Sequence, residues 1–315
     1  MNITIKEISI QEYQTNTSLH LEDVPIWLES KAVKFIGDTY ILVAERGGKV
    51  VGIWVAPSIT SGKKRMIRRS HRFFPYSSPY LLERDNIKRR EIMGSLFNHA
   101  IKNCEEVSIP FDPNFKDLPI LQSYGAFVEW RHTHIVRNQL EISKLTSRLR
   151  NHINSAKQKI EVVVGPDPDT FCFDMAIKGS KDEVDKRTQS AINLLHQGRG
   201  MIISGANGKS HGGIFVAFDN KHAYMMHSWQ SATAPRGTIS LLIYESIKWM
   251  FSNKKVETFD FEGSILRNID YFFCGFNAEI TPYGYVYWNK NINKIQKHVR
   301  SSMKIKGRLY DEALL

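Results

Sequence analysis

The segment FDFEGSILRNIDYFFCGFNAEITPYGYVYW, residues 259–288, contains a strand, a short helix and a second strand in succession. Its beginning belongs to VETFDFEGS, residues 256–264, which predicts a strand that ends at Gly263. A helix is predicted over 265–274, and AEITPYGYVYW predicts a last strand over 278–288. This order of elements is typical of an α/β protein.

The same order of elements occurs in the first half of the chain. Strands, a helix, a strand, a short helix and a strand follow one another in both halves, although the two halves share no residue-level repeat. The first half opens with YILVAERGGKVVGIWVAP at 40–57, where Gly47 and Gly48 predict a tight hairpin turn. The sequence therefore predicts an α/β (α+β) protein with duplicated architecture.

A chain of 315 residues has room for two domains, and 42% hydrophobic content excludes a disordered chain. Each domain is expected to hold a mixed, mostly antiparallel sheet flanked by helices. The predicted divisions are a first domain at 1–141, a basic connecting helix at 142–165, a second domain at 166–290 and a basic tail at 291–315.

The segment 259–288 resembles the second domains of the Fem-type proteins, the peptidoglycan-bridge aminoacyltransferases, and with them the acyl-CoA N-acyltransferase (GNAT) fold. The shared pattern is a strand that ends in D-F-x-G, then a short helix and a turn of the type found here at Gly275-Phe276. The stretches 148–165 and 212–230 are similar to the basic entry segment and the tyrosine-rich hairpin of that family.

The resemblance covers residues 145–290 well, and residues 30–140 in architecture only. It is closest to the Fem-related, GNAT-like proteins of surface-polysaccharide biosynthesis. It implies tandem GNAT-like domains and an N-acyltransferase with an acyl-CoA donor, acetyl-CoA first among them, and an amine acceptor such as an amino sugar.

The resemblance also assigns residues to the donor. The pyrophosphate loop of a GNAT domain would fall at Ala234–Thr238, where only one glycine is present, so Arg236, Gly237 and Thr238 are the expected contacts. A helix N-terminus attracts anions. Because the Fem branch also degrades this loop and uses aminoacyl-tRNA, that donor stays open. Ser228 and Trp229 end the strand that would hold the acyl carbonyl, although Trp229 could instead pack at a domain interface.

Acyl transfer to an amine needs a base and an acid. Asp260 and Glu262 are two apart on the predicted strand, so their side chains should share a face at its carboxyl end. Glu262 is the candidate base, because burial near a second carboxylate raises a carboxyl pKa. The alternative is that Asp260 caps the turn at 263–265 and Glu262 is a surface acid.

Tyr271 stands four residues before Gly275-Phe276, and the resemblance gives it the role of general acid toward the leaving thiolate. The alternative is a core aromatic, since phenylalanines surround it in the sequence. Leu121 occupies the matching position of the first half, so the first domain is expected to bind or scaffold rather than catalyse.

The chain carries 43 Lys and Arg against 32 Asp and Glu, a net charge of +11. The excess is concentrated in 63–72 and 291–308, which contain no acidic residue. Such patches attract phosphate-bearing partners, or only aid solubility. Arg65, Arg68 and Arg69 are therefore expected, on a mobile loop, to bind an anionic acceptor such as a nucleotide- or lipid-linked sugar.

The three cysteines are widely spaced, which predicts neither a disulfide framework nor a zinc site and fits a reducing compartment. His132 and His134, and the three histidines of the 210–228 hairpin, lack carboxylate or cysteine support in the sequence, so no metal is expected. No signal peptide or apolar run of about 18 residues is found, which predicts a cytoplasmic protein with at most peripheral membrane contact.

Three functions remain open from the sequence. They are an acyl-CoA-dependent N-acyltransferase, an aminoacyl-tRNA-dependent peptide-bridge transferase, and a non-enzymatic module that binds nucleic acid or an anionic glycan. The first is preferred over the second because the bridge enzymes usually carry a long helical arm, for which this chain has no room. It is preferred over the third because the 63–72 run has aromatics only at its edge.

Overall fold

The computed structural model describes residues 2–19, 21, 24–29, 38–68, 76–177, 180–207, 209–263 and 267–292. The strands are β1 (Ile3–Ile8), β2 (Thr39–Arg46), β3 (Lys49–Ser61), β4 (Lys64–Arg68), β5 (Tyr80–Leu81), β6 (Glu106–Pro110), β7 (Phe127–Val136), β8 (Glu161–Gly165), β9 (Gly200–Ala206), β10 (Ser210–Phe218), β11 (His222–Gln230), β12 (Thr258–Asp260) and β13 (Glu279–Asn289). The α-helices are α1 (Ile10–Thr15), α2 (Asn86–Asn103), α3 (Pro119–Ser123), α4 (Ser147–Lys157), α5 (Phe173–Ala176), α6 (Lys181–His196), α7 (Thr238–Trp249) and α8 (Arg267–Cys274).

The strands form one mixed, mostly antiparallel sheet with the order β1-β2-β3-β4-β6-β13-β7-β12-β11-β10-β9-β8, and β5 pairs with β3. Two strand pairs are parallel, β4 with β6 in the first half and β11 with β12 in the second. The remaining pairs are antiparallel. The predicted fold class, and the same order of elements in both halves, are confirmed.

The last strand of each half lies against a strand of the other half. β13 inserts between β6 and β7, and β7 in turn pairs with β12. A strand with neighbours on both edges satisfies its backbone N–H and C=O groups without water. The two halves therefore share one continuous sheet instead of two separate ones.

The hairpin predicted at 40–57 is confirmed. β2 and β3 pair from Thr39 to Arg46, and the two residues of the turn, Gly47 and Gly48, have φ of +60° and +76°. Two successive left-handed residues give the turn that matches the twist of paired strands, and glycine adopts them without a steric penalty.

Three apolar clusters pack against the sheet. One combines residues of both halves, among them Trp27, Tyr76, Phe171 and Tyr224. A second lies between the second half of the sheet and α4, α7 and α8. A third lies under α2 in the first half. Because the first cluster draws on both halves, hydrophobic burial as well as strand pairing joins them.

Two expectations about local structure are wrong. Residues 64–68 of the basic run are the strand β4, held between β3 and β6, and not a mobile loop. The strand expected to end at Gly263 already ends at Asp260. None of the helices in the described part of the chain combines the length and the apolar character needed to cross a bilayer.

Candidate active site

The candidate site begins where two parallel strands separate. β11 and β12 pair only over His222–Tyr224 and Thr258–Asp260. β12 then ends, while β11 continues to Gln230 with β10 on its other edge. A bulge opposite Phe215 and Val216 changes the course of β11 within this unpaired part. The separation leaves an opening between the end of β12 and the second half of β11.

Asp260 lies at the end of β12 and is buried, with 3% of its surface exposed. Its Oδ2 accepts a hydrogen bond from the Tyr76 hydroxyl at 2.8 Å, and its Oδ1 accepts bonds from the Thr133 hydroxyl and from the backbone N–H of Glu262. Burial raises the pKa of Asp260 to about 6, although these three donors oppose the shift. The network thus joins two side chains of the first half to the end of β12.

Several acidic groups surround Tyr224, the neighbour of Asp260 on β11. Burial and the nearby carboxylates hold the pKa of this phenol well above its usual range; the carboxylates are Asp219, Asp112, Asp260 and Glu262. Burial works against a charged imidazole at His222, but the hydrogen bond and the charge of Asp219 outweigh it and raise its pKa. The end of β12 therefore lies in a region of negative potential.

Glu262 does not share a strand face with Asp260 as expected, because it lies beyond the end of β12. Its φ is +61°, in the left-handed region that few residues other than glycine and asparagine adopt. The adjacent Gly263 has a φ of +68°, and a Cβ there would collide with the carbonyl oxygen of His132. A tight turn against β7 therefore fixes the position of Glu262, and backbone strain of this kind is common at functional sites.

Tyr271 is not the core aromatic of the alternative interpretation. Its side chain on α8 is 63% exposed, whereas Phe273 and Phe276 are buried. The Arg267 guanidinium lies 5.5 Å from the centre of the Tyr271 ring. The hydroxyl is therefore accessible from solvent.

The predicted donor loop lies beside the connecting helix α4. Gly237 caps the N-terminus of α7 with a φ of +92°, and a Cβ on it would collide with the carbonyl oxygen of His152. The Thr238 hydroxyl is buried and donates to the Pro235 carbonyl at 2.7 Å. Arg236 donates to Nε2 of His152 at 3.1 Å. Gly237 and Thr238 therefore shape the loop, and Arg236 presents charge.

A basic concavity of 410 Å³ lies between α4 and this loop; its lining residues are Arg148, Asn151, His152, Ser155 and Arg236. Partial burial and the positive charges of Arg236 and Arg148 lower the pKa of His152, so the imidazole is held neutral. None of the described residues that line the concavity is acidic. It is suited to bind an anionic group such as a phosphate.

Ser228 and Trp229, near the end of β11, differ in their exposure to solvent. Ser228 is exposed. Trp229 is 8% exposed and belongs to the apolar cluster that joins the halves, as the packing alternative expected. It also borders an open groove of 680 Å³ formed with α5 and α6, where the buried Phe171 and Phe173 form part of the wall and the exposed Asp169 and Asp174 supply negative charge.

Two of the three arginines expected to bind the acceptor, Arg65 and Arg68, are not brought to this opening. Arg65 forms an ion pair with Glu7 at 2.6 Å, and Arg68 forms one with Glu106 at 2.7 Å. Arg69 and the tail from residue 293 lie outside the described residues. The two described arginines have partners within β1 and β6, so their charge is largely compensated within the sheet.

Sequence reasoning missed four residues of the site. Tyr76 and Thr133 are 184 and 127 residues from Asp260 along the chain, and no local sequence pattern predicts their contact with it. Arg148 and His152 carry a signal that was available, since they are four apart and share one face of a basic helix.

Comparisons with known proteins agree on the fold. FemX is 12% identical with a TM-score of 0.63, and the alignment covers 93% of this chain and 99% of that one. The chain has a Fem-related, tandem GNAT-like fold. A tandem GNAT protein from the clavulanic acid biosynthesis pathway is 11% identical with a TM-score of 0.55, covering 91% and 98% of the two chains.

A third structure is the C-terminal domain of a protein assigned as a lysylphosphatidylglycerol synthetase from Agrobacterium fabrum. It is 12% identical with a TM-score of 0.54, covering 90% of this chain and 94% of that one. No family model and no curated protein matches the sequence. At these identities the likeness concerns the fold and leaves function to be argued from the site.

Proposed function

We propose that the protein is an N-acyltransferase that moves an acyl group from acyl-CoA, acetyl-CoA in the simplest case, to a primary amine. The acceptor is an amino sugar of cell-surface polysaccharide or cell-wall biosynthesis, carried on a nucleotide or lipid phosphate. The observation that carries the proposal is the opening where β11 and β12 separate. The basic loop that leads into α7 follows the end of β11, and the carboxylates of Asp260 and Glu262 lie at the end of β12.

The donor binds through its phosphates in this proposal. The concavity formed by Arg148, His152 and Arg236 adjoins the N-terminus of α7, where backbone N–H groups and the helix dipole favour an anion. The acyl arm of the donor then extends into the opening. β11 pairs with β12 only as far as Tyr224, so its later backbone groups are available to polarise the acyl carbonyl.

The reaction requires one proton to leave the amine and one to reach the leaving group. The amine nitrogen attacks the acyl carbon, the carbon–sulfur bond breaks, and Glu262 accepts the amine proton. Asp260 is too deeply buried for direct contact with an acceptor, so it positions Glu262 through the hydrogen bond from the Glu262 backbone N–H. Tyr271, being exposed, protonates the departing thiolate.

The groove beside Trp229 suits the acceptor. The buried Phe171 and Trp229 rings form the wall of the groove, the exposed Met175 offers apolar surface to a sugar ring, and Asp169 and Asp174 attract an ammonium group. Gly213 permits this geometry, because a Cβ on it would lie 2.8 Å from the Phe171 ring and 2.9 Å from Nε1 of Trp229.

The aminoacyl-tRNA-dependent transferase is the second candidate. The basic concavity would then contact the tRNA backbone, in line with the single glycine of the donor loop. The two donors make the same demand on Glu262 and differ in what binds at Arg148 and Arg236.

The test is an acyl-transfer assay with the full chain, acetyl-CoA and a panel of free and UDP-linked amino sugars, in which release of free thiol is measured. We expect Glu262→Gln to lower kcat by about 10²–10⁴ and to leave the KM for the donor unchanged. We expect Arg236→Gln to raise the KM for the donor, with an effect that shrinks at high salt.

Arg137→Gln is the matched control, because Arg137 is an exposed arginine that pairs with Glu279 at 2.8 Å, away from the loop. Transfer from aminoacyl-tRNA but not from acetyl-CoA would favour the second candidate. Binding of either donor without any transfer would favour a binding module. A Glu262→Gln variant within about threefold of the unmodified protein at every pH would remove the general-base role.

A further inference from the structure

Four side chains with metal-binding groups converge on the face of β7 that carries α8. His132 and His134 are two apart on β7 and point to the same side of the sheet. Asp270 and Cys274 are four apart on α8 and therefore also share a face. Nε2 of His134, a carboxylate oxygen of Asp270 and Sγ of Cys274 all lie within 4.8 Å of one another.

The distances fit one ion between these groups. Nε2 of His134 is 3.3 Å from Oδ1 of Asp270 and 3.4 Å from Sγ of Cys274. Nε2 of His132 is 2.9 Å from the same Asp270 oxygen. Around a tetrahedral zinc ion, nitrogen, oxygen and sulfur ligands lie about 3.3–3.6 Å apart. The two distances from His134 are therefore already suitable, the Asp270 oxygen and Sγ of Cys274 lie within 4.8 Å of each other, and His132 needs only a small movement to be the fourth ligand.

The arrangement is not that of a cysteine nucleophile with its base. A catalytic Cys–His–Asp set uses one imidazole nitrogen for the thiol and the other for the carboxylate. Here Asp270 and Cys274 both approach Nε2 of His134. Ligands that converge on one point are instead typical of a metal centre.

We propose that His134, Asp270 and Cys274, with His132 as the fourth ligand, bind a single Zn²⁺ ion. Mixed imidazole, carboxylate and thiolate ligands suit zinc better than the hard cations Mg²⁺ and Ca²⁺. His134 is fully buried, whereas the side chain of His132 is 45% exposed, so the ion enters from the side of His132. The proposal does not depend on the proposed acyltransferase function.

The ion would link α8 to β7 beside the candidate active site. The backbone carbonyl of His134 accepts the N–H of Phe261, and the carbonyl of His132 closely contacts Gly263. Zinc held by these histidines therefore fixes α8, which carries Tyr271, relative to the turn that carries Glu262. The role is structural, since four protein ligands leave no open coordination position.

The second ring nitrogen of His134 determines the zinc affinity that we expect. Nδ1 of His134 is buried and has no hydrogen-bond partner among the described residues. A metal-bound imidazole usually donates its second N–H to an acceptor, and loss of that acceptor lowers metal affinity about 10- to 100-fold. We therefore expect zinc to bind reversibly and to be removed by a chelator without harsh treatment.

The test uses the full chain after dialysis against a chelator, titrated with Co²⁺ as an optical probe and then with Zn²⁺. We expect one Co²⁺ per chain, visible absorption of a tetrahedral centre, and a near-ultraviolet band from thiolate-to-cobalt charge transfer. Zn²⁺ should displace Co²⁺ and raise the Tm by a few degrees, because it binds the folded state only.

Cys274→Ala should abolish the charge-transfer band, and Cys172→Ser is the matched control that should keep it. Asp270→Asn is a second variant that keeps side-chain size at a partly exposed position, and it should bind Co²⁺ more weakly while retaining the band. No charge-transfer band in the unmodified protein, or an equal rise in Tm with Zn²⁺ in Cys274→Ala, would mean that the cluster is only a hydrogen-bonded ion pair.

Discussion

Replacing Asp260 by asparagine should change how stability depends on pH. Three donors point at the Asp260 carboxylate: the hydroxyls of Tyr76 and Thr133 and the N–H of Glu262. Asparagine can keep two of them on its Oδ1, while its Nδ2 donates to the Tyr76 oxygen once that hydroxyl turns. The substitution therefore removes the charge and leaves the hydrogen bonds largely in place.

The magnitude follows from the pKa of Asp260, which burial raises from 3.8 to about 6. A carboxyl whose pKa is higher in the folded state binds its proton more tightly there. Its contribution to stability is therefore fully present below about pH 4 and is lost as the pH rises through about 6. The full loss is about 3 kcal/mol, of which about 2 kcal/mol falls between pH 4.5 and 7.5.

The assay is urea unfolding of both proteins at pH 4.5, 6.0 and 7.5. Other carboxyl groups titrate equally in both, so the difference in free energy of unfolding isolates Asp260. We expect this difference to shift by about 2 kcal/mol in favour of Asp260→Asn between pH 4.5 and 7.5. Asp182→Asn, at an exposed position of α6, should give no such shift.

A difference between Asp260→Asn and the unmodified protein that stays constant within about 0.5 kcal/mol would refute the reasoning. It would mean that water reaches the carboxylate, and that the Tyr76 and Thr133 hydroxyls do not enclose it. A loss of stability at every pH would instead mean that the asparagine amide cannot be accommodated beside Tyr76.

Three further predictions concern the donor loop, the acidic region and the leaving group. Gly237→Ala should lower the free energy of unfolding by at least about 1 kcal/mol more than Gly62→Ala. Both glycines have positive φ, but only a Cβ at 237 would collide with the His152 carbonyl. Urea unfolding of the two variants measures the difference, and equal losses would mean that α4 does not pack closely against Gly237. In the folded protein the pKa of His222 is raised, so His222 contributes stability that is present below about pH 6.5 and is lost at higher pH. The unmodified protein should therefore be more stable than His222→Gln at low pH, and this difference in free energy of unfolding should shrink as the pH rises. A difference that stays constant would contradict the ion pair of His222 with Asp219. Tyr271→Phe should lower kcat for acyl transfer by about 10²-fold without changing donor affinity. Steady-state kinetics and direct binding measure the two quantities. An unchanged kcat would mean that water, and not Tyr271, protonates the thiolate.

Much of the local structure follows from the sequence. The hairpin at Gly47-Gly48, the helix α8 and the alternating strand β13 were all predicted, because turn chemistry and hydrophobic period are properties of neighbouring residues. The family resemblance proposed a donor loop at 236–238, and the predicted strand end proposed Asp260 as a site residue. Their surroundings were not predicted, since Arg148 and His152 approach the loop only after α4 packs on α7.

The tertiary structure alone decided which elements meet. The pattern of β13 predicts a strand but does not say that it inserts between β6 and β7, because an alternating strand can pair with any edge of matching polarity. The same holds for the side chains that converge from distant segments. In the sequence His134 lacks a carboxylate or a thiol nearby, and the packing of α8 on β7 brings it both. Backbone propensities are fixed by adjacent residues, whereas pairing and burial are fixed by the whole chain, which must satisfy its backbone groups and cover its apolar faces at once.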